Sequence, residues 1–263
     1  MSKIQTEHPN SLTTFISIIE KYRKDAGHTL WFRGCGISSY PLKPSLYRNK
    51  KTKNIRHLVE TEYKILTRFK QRSLPFHSIS LENDWDTLFL MQHYGIPTRL
   101  LDWTENPFIA LYFSLMSARR NSFAHKSAVW ILDPIAWNSH VLGDQETEIL
   151  STSDSEITRY KPQKKYEQMP DNVIPLYGAH NSQRIVAQRG VFVIFGSDTT
   201  SMRRQFIKNG FPSNCLIKII FDRSVLPKLL DSILESGITE SVVFPDLEGL
   251  AQEIRRIFGY GRI

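Results

Sequence analysis

Three groups of residues in the 263-residue chain combine polar, charged and aromatic side chains at spacings that could build a site. The first is Trp31-Phe32-Arg33-Gly34, an arginine at the end of an apolar run followed at once by glycine. The planar guanidinium either caps a carboxylate inside the fold or offers a two-pronged donor to a phosphate-bearing ligand, with Gly34 letting the backbone approach. The residue types leave both options open. The second group is Gln92-His93-Tyr94-Gly95-Ile96-Pro97-Thr98-Arg99-Leu100-Leu101-Asp102-Trp103-Thr104, a polar and aromatic loop denser in such residues than a link between two helices requires. Within it, Arg99 and Asp102 could pair and lock the turn. The third, Arg184 to Phe192, sets Gln188 just before a glycine and an aromatic strand. The structural alternative for Arg33, Arg99, Asp102 and Arg184 together is a buried ion-pair network without a ligand.

Other chemistries fail on pattern. The sequence holds no GxSxG nucleophile elbow, no HExxH and no P-loop. Gly34-Cys35-Gly36 lacks the third glycine of a dinucleotide fingerprint and opens a Ser/Tyr/Pro turn rather than a helix. The eight histidines are scattered, and neither they nor Cys35 and Cys215 fall at ligand spacing, so no metal site is expected.

The elements that must position these residues follow from periodicity. Apolar residues at helical spacing predict helices over 11–24, 54–72 with Asn54 as N-cap, 84–94 ending at Gly95, and from Asn106-Pro107 to about Arg119. Runs rich in β-branched and aromatic residues predict strands at 29–32, 127–132, 173–176, 191–195 and 216–221, and a short one at 240–244 between helices 225–236 and 247–258. Residues 143–172 are the least hydrophobic stretch and read as a mobile insertion. Helices first and strands later, without βαβ alternation, predict an α+β fold.

Composition bounds the class. With 34 Lys+Arg against 26 Asp+Glu the net charge is +8, and 41% hydrophobic residues place the chain among ordinary globular proteins. Six of the excess charges lie together as Lys43, Arg48, Lys50, Lys51, Lys53 and Arg56, either a solvated loop or a basic nucleic-acid-binding face. The longest apolar stretch, 107–118, is far short of the roughly 20 residues of a membrane span, and reads as a core helix. The N-terminus lacks the apolar run of a signal peptide, so a cytoplasmic location, with no membrane partner, is the expectation.

The three groups together resemble the FRG domain, a bacterial and phage family named for its Phe-Arg-Gly motif. Phe32-Arg33-Gly34 resembles the naming motif, Gln92 to Phe113 (QHYGIPTRLLDWTENPFIALYF) the central signature, Arg184-Gln188-Gly190-Phe192 a third block and Phe244 to Ala251 a C-terminal one. The resemblance implies an FRG domain over 29–258, preceded by an N-terminal extension over 1–28 and followed by a tail at 259–263. More distantly, Arg33-Gly34, Trp103-Thr104 with Ala110 and Phe113, and Gln188-Arg189-Gly190-Val191-Phe192 resemble, in order and rough spacing, the elements of ADP-ribosyltransferases of the Arg-Ser-Glu type.

That second resemblance implies mixed sheets forming a cleft for NAD with helices packed around them. It implies transfer from NAD to a protein or nucleic-acid acceptor, as in a toxin or a phage–host conflict effector. By the same resemblance Arg33 and Gly34, with His93, Arg99 and Arg184, would hold the cofactor, Tyr94 or Trp103 would stack on a ring, and Thr104 would orient the ribose. Gln188 stands where those enzymes carry a catalytic glutamate, and an amide supplies neither negative charge nor a base. Glu105 or Asp102 would then provide the carboxylate, or the domain is a non-catalytic module that binds NAD or another nucleotide.

Overall fold

The computed structural model describes residues 3–49, 54–76, 81, 83–143, 148–162, 169–179 and 183–260. In chain order the elements are β1 (Gln5–Glu7), α1 (Leu12–Ala26), β2 (Trp31–Cys35), α2 (Ile55–Ser73), α3 (Asp84–His93), β3 (Leu100–Thr104), α4 (Pro107–Arg120), β4 (Ser127–Leu132) and α5 (Pro134–Leu142). Then follow β5 (Leu150–Ser151), β6 (Ile174–Tyr177), α6 (Gln183–Ala187), β7 (Gly190–Ile194), α7 (Met202–Lys208), β8 (Leu216–Phe221), α8 (Leu226–Glu235), α9 (Glu240–Val243) and α10 (Leu247–Ile257). The strands form one eight-stranded sheet in the order β1-β8-β4-β2-β3-β7-β6-β5. Its β1–β8 and β5–β6 pairs are parallel and the pairs between are antiparallel. The architecture is α+β, built on a single mixed open sheet rather than the plural sheets expected.

Local chemistry sets the helix ends. Asn54, Asn83 and Asn106 each accept a backbone N–H from the first turn of α2, α3 and α4, and Pro107 opens α4 where no backbone donor is needed. Three predicted features differ. Residues 100–104, read as loop, form the central strand β3, because Leu100, Leu101, Trp103 and Thr104 are buried and only Asp102 is exposed. Residues 240–243, read as strand, make one helical turn, which places Glu240 beneath Arg256. The stretch read as a mobile insertion contributes Leu150, Ile157, Tyr160 and Met169 to the buried interior, while 144–147 and 163–168 fall outside the described residues.

The core lies on both faces of the sheet. One face carries two separate clusters: Phe32, Val129, Ile131 and Ile219 under α1, α4 and α8, and Leu100, Phe192 and Ile194 under α3. The opposite face carries one cluster that runs across both halves, with Trp31, Trp103 and Trp130 beneath α2, α5 and α7. The gap between the first two clusters lies over the β2–β3 junction.

Candidate functional site

β2 pairs with β4 over five residues and β3 with β7 over five, yet β2 and β3 register only at Phe32 and Thr104. Beyond that pair the two central strands diverge. Arg33 bridges the divergence, its Nη1 donating to the Asp102 carbonyl. The split holds a cavity of about 380 Å³, lined by Gly34, Ala110, Phe113 and Gln188 together with Tyr40, Lys43 and Arg48. An adjoining hollow of about 530 Å³ reaches Tyr94 and shares Arg33, Arg48, Gln92, His93, Asp102 and Arg184 with the first.

Small residues on α4 explain why the strand can run so close to the helix. A Cβ on Gly34 would lie 2.0 Å from the Ala110 carbonyl oxygen, and one on Gly36 would lie 2.2 Å from Ser117 Oγ. Ala110, Ser114 and Ser117, spaced by four and three, present one face to these glycines. Gly34 is therefore required by packing, although it also lines the cavity.

A polar network fixes the other wall. Asp102, exposed at the rim, accepts from Gln92 Nε2 at 2.7 Å, and Gln92 Oε1 accepts in turn from the buried Thr98 hydroxyl. Thr104 Oγ1 donates to the Gln188 carbonyl at 2.6 Å and accepts from Asn106 N at 2.9 Å, which ties the end of β3 to the turn before β7. In that turn Arg189 holds a left-handed φ of 44°. Gln188 Nε2 donates to the Val243 carbonyl at 3.0 Å, and the Arg184 guanidinium lies 4.5 Å from the centre of the Phe244 ring. Burial and the neighbouring Arg184 hold the His93 imidazole below its ordinary pKa, with Asp246 opposing. Burial likewise pushes the Cys35 thiol up, against the pull of Arg33, Lys218 and Arg48.

Residues 28–122 match the family model of the FRG domain. Over these residues the chain is similar to that domain. The match spans β2, α2, α3, β3 and α4, so both strands of the split lie inside it, while Arg184, Gln188 and the 244–251 segment lie beyond it. No curated protein and no solved structure matches the chain.

Of the site residues expected from sequence, the matched segment and the segments after it bring Arg33, Gly34, His93, Asp102, Trp103, Thr104, Arg184 and Gln188 to one cavity, with Tyr94 in the hollow beside it. Two stand elsewhere. Arg99 is fully buried, where its Nε meets Glu62 Oε1 and Oε2 at 2.9 and 2.7 Å and its terminal nitrogens donate to the Phe195 and Tyr160 carbonyls. It serves the core in an ion pair with Glu62 rather than with Asp102. Glu105 lies outside the lining of either hollow and accepts from Tyr177 Oη at 3.3 Å.

Two roles also shift. Trp103 is 3% exposed and packed with Trp31 and Trp130, so it walls the cavity rather than offering a free ring face. The donor proton of Thr104 is already committed to a backbone carbonyl. Of the basic run, Lys43 and Arg48 line the cavity, Arg56 pairs with Glu60 at 3.1 Å, and Lys50, Lys51 and Lys53 fall outside the described residues. Sequence reasoning assigned no role to Tyr40 or to Gln92; the one available signal was Gln92 standing ten residues before Asp102 in the same signature. Among the described residues no group of His, Cys, Asp or Glu could hold a metal ion, and no helix is long and apolar enough to cross a membrane.

Proposed function

We propose that the split between β2 and β3 binds a phosphate-bearing nucleotide of the NAD type. The observation that carries this reading is the convergence of Arg33, Lys43, Arg48 and Arg184 on one cavity in which, among the described residues, Asp102 is the single carboxylate. Such an imbalance in a partly enclosed volume favours an anion. The planar forks of the arginines match phosphate oxygens, and Tyr40 and Tyr94, 49% and 64% exposed at the two hollows, offer ring faces to a base. The volumes fall within the roughly 300–1,000 Å³ of ligand sites. Thermal stability should rise with added NAD or ADP-ribose, because a ligand selective for the folded state stabilises it. No shift with either, or with simpler nucleotides, would remove the reading.

A second reading, ADP-ribosyl transfer to a protein or nucleic acid, is favoured by Asp102. Its carboxylate is exposed at the cavity and held in orientation by Gln92. Loss of nicotinamide builds positive charge on the ribose, which a fixed carboxylate stabilises and the Gln188 amide cannot. Incubation with labelled NAD and lysate tests this: label on any target that is lost in Asp102→Asn supports transfer, and no label from the wild type leaves a binding module.

A further inference from the structure

α10 is attached to the molecule along one side only. On that side Gly249 packs where a Cβ would lie 2.1 Å from the Phe244 carbonyl oxygen, and Arg256 Nε meets the two Glu240 oxygens at 2.8 and 3.0 Å. Glu253 accepts from Ser241 N and Oγ at 3.0 and 2.5 Å. The opposite side is apolar and open: Leu247, Leu250, Ile254, Ile257 and Phe258 are 84, 44, 47, 61 and 70% exposed. A stripe of five large apolar side chains on one helix face is not ordinary surface, and such patches mark association sites.

The stripe is self-complementary about Gln252. Leu247 and Ile257 stand five residues either side of it, and Leu250 and Ile254 two either side. Glu248 and Arg255, seven residues and so two turns apart, share one flank of the stripe. When two copies of such a helix pack antiparallel about a two-fold axis, like flanks meet, so an acidic first turn faces a basic last turn. In a parallel two-fold pair each flank meets the opposite flank of the second copy, so Glu248 and Arg255 lie on separate sides of the seam and this pairing is lost.

We infer that α10 is a homodimerisation face, in which two copies pack their α10 helices antiparallel around Gln252. Leu247 then meets Ile257 of the second copy, Leu250 meets Ile254, and Glu248 meets Arg255, as an isologous interface requires. A helix of 11 residues is only about 16 Å long, so the interface belongs to the small, dissociable class.

Sedimentation equilibrium of the full chain across a dilution series tests this. The expected mass moves from twice 30.5 kDa at high concentration to 30.5 kDa on dilution. Ile254→Glu, at an exposed position, should give monomer throughout with unchanged circular dichroism. Glu248→Arg should weaken association several-fold, and adding Arg255→Glu should restore it. A wild type that is monomeric at every concentration overturns the inference, including one that instead cosediments with anionic phosphatidylglycerol vesicles. A dimer indifferent to Ile254→Glu, or a double charge swap that fails to restore pairing, overturns it as well.

Discussion

At Gly34 the space for a side chain is already occupied by main-chain atoms of α4: a Cβ there would stand 2.0 Å from the Ala110 carbonyl oxygen and 2.7 Å from Ser114 N. Neither neighbour can rotate away, so Gly34→Ala must push helix from strand. It should cost about 1–3 kcal/mol in urea unfolding, the range for overpacking; an unchanged midpoint would contradict the packing role. His93 gives a pH signature. Its folded pKa lies below the ordinary value near 6.5 because burial disfavours its charged form. The unfolded chain therefore takes up this proton first, and the His93 contribution to stability, complete above about pH 6.5, is lost as pH falls through the folded value. A protonated His93 would also add a cation to the cavity, so affinity for a phosphate-bearing ligand should rise on acidification, and His93→Gln should flatten both trends. Arg33, Asp102 and Gln188 were legible as site residues because their types and neighbours were unusual. Arg99 was not distinguishable from them, since its partner Glu62 lies 37 positions earlier, on a helix whose burial only the fold reveals.

The helices α2, α3 and α4 were legible nearly to their ends, because caps at Asn54, Asn83 and Asn106 coincide with the start of helical periodicity. β3 was not. Its polar flanks and the exposed Asp102 broke the strand pattern, and pairing with β7 over all five residues supplies what propensity does not. α9 failed in the other direction: Ser241-Val242-Val243 favours a strand, but Glu240 must turn inward to meet Arg256. The Glu62–Arg99 pair joins α2 to the start of β3, at the end of the strand away from its pairing with β2. Glu62→Gln leaves a fully buried guanidinium short of its counter-charge and should destabilise by about 3–5 kcal/mol in chemical denaturation. The double change Glu62→Leu with Arg99→Met should recover part of that loss, not all, because the Phe195 and Tyr160 carbonyls lose their donor. Equal losses in single and double variants would contradict this assignment.

Across the whole molecule, one sheet is joined at its centre by a single registered pair, and the cations gather there. The +8 net charge is thus partly local: Lys43 and Arg48, from the basic run that follows β2, reach the same cavity as Arg33 and Arg184. Burial, and after it the nearby Arg204, lowers the Lys43 pKa, against Asp198. The convergence of residues from positions 33 to 188 could not be read from the sequence by spacing, because it depends on β3 lying beside both β2 and β7. The most direct test is calorimetric titration of ADP-ribose into the wild type, Arg33→Ala and Arg48→Ala. Arg48 is exposed, so its loss should leave the fold intact. Saturable binding by the wild type is expected, weakened about 10- to 100-fold when a charge-assisted contact worth about 1.5–3 kcal/mol is removed. Absence of binding by the wild type, or equal affinity in all three proteins, would contradict it.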